Sequence, residues 1–341
     1  MSDDVKLSAN ERIKGASRFL RGTIAEGLGV AATGAISDDD AQLIKFHGSY
    51  LQDDRDLRPE RAKKKLEKAF SFMIRVRVPA GIATATQWLA MDDIASRYAN
   101  GTIRLTTRQA FQFHGVIKSN LKTTMQAINA SLLDTVAACG DVNRNVMAAA
   151  NPYLGPGHKA AAALARALSD HLTPRTGAYH EIWLDGEKLE TEAVAPAPAS
   201  AKTPDVEPIY GPTYLPRKFK AAVAAGPDND ADIFAQDLGY IAVIEDGRVI
   251  GWNVVVGGGM GMTHGEPETY PRTGDVMGFC LPEQAVDVGE KIVTVQRDWG
   301  DRSNRKHARL KYTIDDHGLD AFRAEVEARL GYRLEAPRPF S

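Results

Sequence analysis

Six basic residues in this chain share a spacing that points to anion chemistry. Arg75 and Arg77 lie two apart in Phe72-Met-Ile-Arg-Val-Arg-Val78, as do Lys218 and Lys220 in Tyr214-Leu-Pro-Arg-Lys-Phe-Lys220. Arg104 and Arg108 lie four apart in Ile103-Arg-Leu-Thr-Thr-Arg-Gln-Ala-Phe-Gln-Phe-His114. Side chains of an extended strand alternate between faces, so each pair projects to one side. In 103–114 that side carries Arg104, Thr106, Arg108, Ala110, Gln112 and His114, while Ile103, Leu105, Phe111 and Phe113 take the other. By the same parity Arg217 and Phe219 oppose the two lysines. Like charges on one face repel unless an anion lies across them, and the planar guanidinium fork suits carboxylates and oxyanions. Arg144 stands between two asparagines in Asp141-Val-Asn-Arg-Asn-Val146, where short amides favour a turn and can orient a guanidinium. A half-exposed sheet, its edge protected by lysines, explains any one pair taken singly. Recurrence of the device favours the wall of an anion pocket.

The elements that must position these residues read as α+β. Residues 1–69 form a partly helical arm, with the charged run 53–61 as a salt-bridged surface. Residues 70–140 read as strand (72–78), helix (86–98), strand (103–115) and helix (121–133), with Thr84 or Thr86 capping the first helix. Residues 141–335 form a second α+β region. It opens with an Ala-rich helix at 158–172 and a strand at 178–184, then a surface excursion at 189–208 rich in Ala, Pro, Thr and Glu. Strands 238–245 and 248–256 flank Asp246-Gly247 as a hairpin. The cluster Gly257-Gly-Gly-Met-Gly261 lets backbone approach a ligand closely but lacks dinucleotide spacing. Residues 282–299 and 318–330 read as helices.

Composition narrows the function classes. In 341 residues, Lys+Arg 42 against Asp+Glu 44 leaves a net charge of −2, so nucleic acid or membrane partners are not implied. No apolar run reaches spanning length, and the acidic start lacks the plan of a signal peptide, which leads us to expect a cytoplasmic protein. The two cysteines, Cys139 and Cys280, exclude a disulfide framework and read as small buried apolar side chains. No metal-ligating set is evident.

The runs HGSYLQDDRDLRPERAKKKLE (47–67), MIRVRVPAG (73–81), TIRLTTRQAFQFHG (102–115), DVNRNVMAAANPY (141–153), EIWLDGE (181–187), TYLPRKFK (213–220) and TVQRDWGDR (294–302) resemble the sirohaem-containing sulfite and nitrite reductases. The likeness is greatest to the hemoprotein subunits of the NADPH-dependent assimilatory enzymes. It implies half of a duplicated, split ferredoxin-like domain followed by a sirohaem-binding α+β domain. The activity implied is six-electron reduction of sulfite to sulfide at a sirohaem–[4Fe–4S] centre, serving sulfur assimilation and cysteine biosynthesis. A flavoprotein subunit linked to NADPH would donate the electrons. By motif, Arg75, Arg144, Lys218 and Lys220 match the residues that hold the substrate anion, the lysines also relaying protons. Arg77, Arg104, Arg108, Gln112, His114, Asn145, Arg217 and Arg309 match positions in or near the sirohaem-contacting segments.

One departure is large. The family holds its cluster through C-x5-C and C-x3-C motifs, absent here. The expectation is therefore an N-terminal half with a partial sirohaem site and no cluster ligands, inactive alone and open to a separate C-terminal half. Its unpaired ferredoxin-like unit should expose apolar surface. A nitrite-reducing relative and a non-catalytic half are the alternatives, since one cationic pocket serves both oxyanions.

Overall fold

The computed structural model describes residues 6–149, 155–186 and 207–340. The arm supplies α1 (Ala9–Ala16), α2 (Ile24–Gly29) and α3 (Asp38–Leu43), the last capped by Ser37 Oγ accepting from Asp40 N–H. Between α1 and α2 the chain turns through three left-handed residues, Arg18, Phe19 and Leu20. His47 ties that turn to the core, because its Nε2 meets Leu20 O at 3.0 Å and its Nδ1 accepts from Trp183 Nε1 at 3.0 Å.

The arm also contributes a strand to the first sheet. Strand β1 (Ser49–Asp53) pairs antiparallel with β2 (Phe70–Val76), Ser49 opposite Ile74. Helix α4 (Arg58–Lys63) lies between them, with Arg58 paired to Asp53 as the charged run suggested. Next come α5 (Ala85–Tyr98), β3 (Arg104–Leu105), β4 (Phe111–Val116) and α6 (Lys118–Ala130), and the sheet order is β1-β2-β4-β3. Thr84 caps α5 in a reciprocal capping box with Gln87. Met91, Ile94 and Ala95 of α5 and Leu121, Met125 and Ile128 of α6 follow helical spacing and bury against Phe72, Ile74, Val76 and Phe113. Each large side chain so buried contributes about 1.5–3 kcal/mol.

Residues 103–115 are a tight hairpin, not the single strand that alternation suggested. Thr106 Oγ1 accepts the N–H groups of Arg108 and Ala110, Gln109 takes φ 53°, and Arg104 returns opposite Gln112. The reversal lifts Arg108 to the hairpin tip.

The second sheet runs β5 (Met147–Ala148), β6 (Ala221–Ala224), β7 (Leu238–Glu245), β8 (Arg248–Val256) and β9 (Asp275–Cys280), parallel from β5 to β7 and antiparallel beyond. The Asp-Gly hairpin stands as expected, with Asp246 and Gly247 both left-handed. Helices α7 (Pro156–His171) and α9 (Ala285–Trp299) pack on this sheet, and α10 (Leu310–His317) and α11 (Leu319–Leu330) follow. Residues 178–184 form a helix, α8 (Ala178–Trp183), where a strand was expected: Ala178, Tyr179, Ile182 and Trp183 bury at helical spacing. Residues 214–220 are an irregular loop, bridged at Phe219 to Asn143, and so are not a pocket strand either. Residues 189–206 of the expected excursion lie outside the described residues.

Both cysteines are buried, and Leu89, Leu105 and Trp88 on the first unit stand exposed. No described helix is long and apolar enough to cross a membrane.

Candidate functional site

Arg75, at the end of β2, donates to Cys139 Sγ and to Gln112 Oε1, each at 3.0 Å, while its Nε is buried without a partner. Arg108 reaches from the hairpin tip to the second sheet, donating to Asn145 O and Ala221 O at 3.3 Å and to Gln236 Oε1 at 2.5 Å. Burial, opposed by Asp237 and reinforced by Arg144, Arg309 and Arg75, lowers its guanidinium to about 10. The asparagines beside Arg144 do not orient it as expected: the Asn145 amide is taken by Val78 and Arg108, and Asn143 Oδ1 is buried without a hydrogen-bond partner. The Arg144 backbone N–H instead bonds Phe219 O, and its side chain donates to Gly140 O at 3.4 Å.

Loop 214–220 brings Arg217, Lys218 and Lys220 to the same place. Burial, then Arg144, Arg217, Lys220 and Arg309, push the Lys218 ammonium down to about 7. Burial, Arg108 and Arg309, offset by Asp237, bring Lys220 to about 8. Arg217 is lowered too, by burial and Arg305 first, with Arg144 and Arg309 among its neighbours. Strand parity would turn Arg217 away with Phe219; an irregular backbone does not obey that rule, and Phe219 turns into the core while Arg217 stays half-buried beside Lys218. Among the described residues none of Arg75, Arg108, Arg144, Arg217, Lys218 or Lys220 makes an ion pair.

Other expected site residues are placed differently. Arg77 leaves the group: it pairs with Asp134 at 2.7 Å and donates to Ser169 O at 3.0 Å and to Thr173 Oγ1. Same-face alternation with Arg75 fails because β2 ends at Val76. Asn145 is a staple, its amide engaging Val78 N–H, Val78 O and Arg108 O. Arg309 is neutralised by Asp237 at 2.9 Å. Arg104 is exposed on β3, and His114, lowered by burial, Arg104 and Arg75, links Gln112 at 2.6 Å to Gln52 at 3.3 Å.

Sequence reasoning missed Lys45, Tyr50, Cys139 and Asp237. Lys45 Nζ lies 5.5 Å from the Tyr50 ring centroid and is lowered by burial and by Arg305, with Arg217 also near. Burial and Cys139 raise the Tyr50 phenol, opposed by Arg144 and Arg75. Lys45 sits in a single 3-10 turn, where no period could reveal it.

Fold and charge together define an α+β protein with an excess of unneutralised cations where its two sheets meet. The chain belongs to the nitrite and sulphite reductase family. Residues 164–334 match the nitrite and sulphite reductase 4Fe-4S domain, and residues 64–131 the nitrite/sulfite reductase ferredoxin-like half domain. It is 64% identical over 340 residues to the sulfite reductase [NADPH] hemoprotein beta-component of Methylobacterium radiotolerans, covering 98% of this chain and 53% of that protein. The protein of that name from Anoxybacillus flavithermus is 61% identical over 332 residues, covering 97% and 56%. The chain thus spans about half the length of the curated relatives it matches. The structure of Mycobacterium tuberculosis NirA protein superposes with a TM-score of 0.74 at 22% identity, over 98% of this chain and 55% of that one, and shares the fold.

Proposed function

We propose that the chain supplies the anion-binding part of a sirohaem-dependent sulfite reductase hemoprotein. The six cations without ion pairs among the described residues carry this reading: partly buried neighbours of one charge repel, and an anion relieves the repulsion. Sirohaem bears many carboxylates, and the residues present fit it. Arg104, Arg108 and Arg217, with Gln112 and His114, supply charge and donors for a polycarboxylate ring. Arg75, whose Nε lacks a partner, would form the set for sulfite with Arg144, Lys218 and Lys220. Arg77, Asn145 and Arg309 act on the scaffold beneath.

When bound, sirohaem would supply the redox iron of a six-electron reduction. The chain's own part is to orient the oxyanion and hold protons at the Nζ atoms of Lys218 and Lys220, whose pKa values of about 7 and 8 suit transfer near neutrality. The [4Fe–4S] cluster does not fit this chain alone. A cubane takes four thiolates, and the two cysteines include Cys280, pushed by burial up to about 12. In the working protein those thiolates would come from another segment or chain, electrons from an NADPH-linked flavoprotein, and the location would be the cytoplasm.

Titration of the purified chain with sirohaem tests the reading. A saturable absorption change is expected, with Lys218→Met leaving it intact while weakening sulfite binding. No uptake, or loss of sirohaem rather than sulfite in Lys218→Met, rejects the assignment.

A further inference from the structure

We infer that the arm helix α1 is a positioning element of the cationic pocket, acting through Lys14 on the loop that carries Arg217, Lys218 and Lys220. The inference rests on the reading of that pocket as an anion site. Three successive carbonyls at the start of the loop are each gripped by a different cation. Arg302 Nη2 donates to Tyr214 O at 2.7 Å, Lys14 Nζ to Leu215 O at 2.7 Å, and Arg305 Nη1 to Pro216 O at 3.3 Å. Two carboxylates balance the three. Glu11 takes Lys14 and Arg302, each at 2.5 Å; Asp141 takes Arg305 at 2.6 and 2.8 Å, with Lys14 at 3.6 Å. Glu11, Lys14 and Asp141 are buried.

The grip lies immediately before Arg217. Beyond it the loop is tied again: Phe219 N–H bonds Val142 O at 3.0 Å, and Lys220 N–H bonds Asp237 Oδ2 at 2.9 Å. Arg217 and Lys218 are held between two anchored stretches that share no ladder. An irregular loop bearing three cations beside Arg144 gains by swinging outward to water, because burial and mutual repulsion both disfavour its charges. Carbonyl contacts from buried cations oppose that swing. Buried ion networks add little to stability against apolar replacements, so their better-attested use is to fix one arrangement, and here the arrangement fixed is that of the pocket wall.

The test uses the full chain with Lys14→Met, Lys14→Arg as the conservative variant, and Arg302→Met as a second. The readouts are amide exchange of Leu215, Phe219 and Lys220, sulfate affinity by calorimetry, and the pH profile of Lys218 acylation. In Lys14→Met those amides should exchange about tenfold faster and sulfate bind about tenfold more weakly, the size of one lost charge-assisted bond. The Lys218 profile should move to higher pH as the ammonium regains water, and Lys14→Arg should restore most of each change. A folded Lys14→Met chain whose loop exchange, sulfate affinity and acylation profile match the parent overturns the inference. Should Lys14→Met fail to fold, the same readouts on Arg302→Met decide. If the parent itself does not bind sulfate, the pocket reading fails, and positioning stands or falls on exchange and acylation alone.

Discussion

Asp237 accepts three hydrogen bonds from Arg309, at 3.0, 2.9 and 2.9 Å, in a site closed to solvent. Its Oδ2 also accepts the N–H of Lys220. One carboxylate therefore fixes both the floor of the pocket and the backbone of a pocket lysine. Removing one partner of a buried pair leaves the other charge uncompensated, at a cost of about 3–5 kcal/mol. Asp237→Asn should lower unfolding free energy by that order in urea titrations; a variant as stable as the parent would show that solvent already compensates Arg309.

Anion binding should draw protons into the pocket. Lys218 and Lys220 have folded pKa values near 7 and 8, below the ordinary 10.5, so near neutrality each is only part protonated. A bound anion favours the ammonium form and raises both. Sulfate, which does not titrate in this range, should bind with proton uptake and lose affinity as pH rises through about 7 to 8. Calorimetry in buffers of differing ionisation enthalpy measures the uptake. The stability of the free chain runs the other way: unfolded lysines protonate first as pH falls from 10.5, so these groups lower stability progressively as pH drops through that window toward their folded values. Pocket binding without proton uptake would mean that the lysines stand apart from the anion.

How far the sequence revealed this arrangement depended on whether one period ran through a whole element. The 238–256 hairpin was legible because both strands keep their pattern up to Asp246-Gly247, a pair whose left-handed φ values the turn demands. The 103–114 run misled because a two-residue strand, a reversal and a second strand preserve the same alternation, and Thr106-Thr-Arg-Gln lacks turn-typical residues. Helix α8 is not distinguishable from a strand by pattern, because six residues hold too few repeats to separate the two periods. For the site, cations were found by type and spacing, whereas their neutralisation was not. Asp134, Asp237 and Asp141 come from distant positions, and only folding shows that they pair with Arg77, Arg309 and Arg305 while the site cations are left without a carboxylate partner among the described residues.

Cluster chemistry offers a prediction of absence. With two cysteines, one deep in the β9 region, the purified chain should carry no stoichiometric acid-labile sulfide even after anaerobic reconstitution with iron and sulfide. Iron and sulfide in equal, stoichiometric amounts with a cubane spectrum would refute this.

His47 should make the fold acid-sensitive in a defined window. Trp183 Nε1 donates to its Nδ1, so the neutral ring carries its proton on Nε2, directed at Leu20 O. Protonation would set an Nδ1–H against the indole N–H, donor facing donor, with no carboxylate contact to His47 among the described residues. Burial accordingly depresses the folded pKa from 6.5 to about 4, with the Leu20 carbonyl opposing. The sign follows: the unfolded chain takes up the proton first, so stability is full above about 6.5, declines as pH falls toward 4, and levels off below. Two to three pKa steps correspond to roughly 3 kcal/mol, enough to free the Leu20 turn and with it the arm that bears Lys14. His47→Gln keeps an acceptor and a donor but does not titrate. It should start less stable at neutral pH yet lose less on acidification, the carboxylates contributing equally to both chains. Urea midpoints measured across the window decide the matter, and parallel losses in parent and variant would assign the acid sensitivity to other groups.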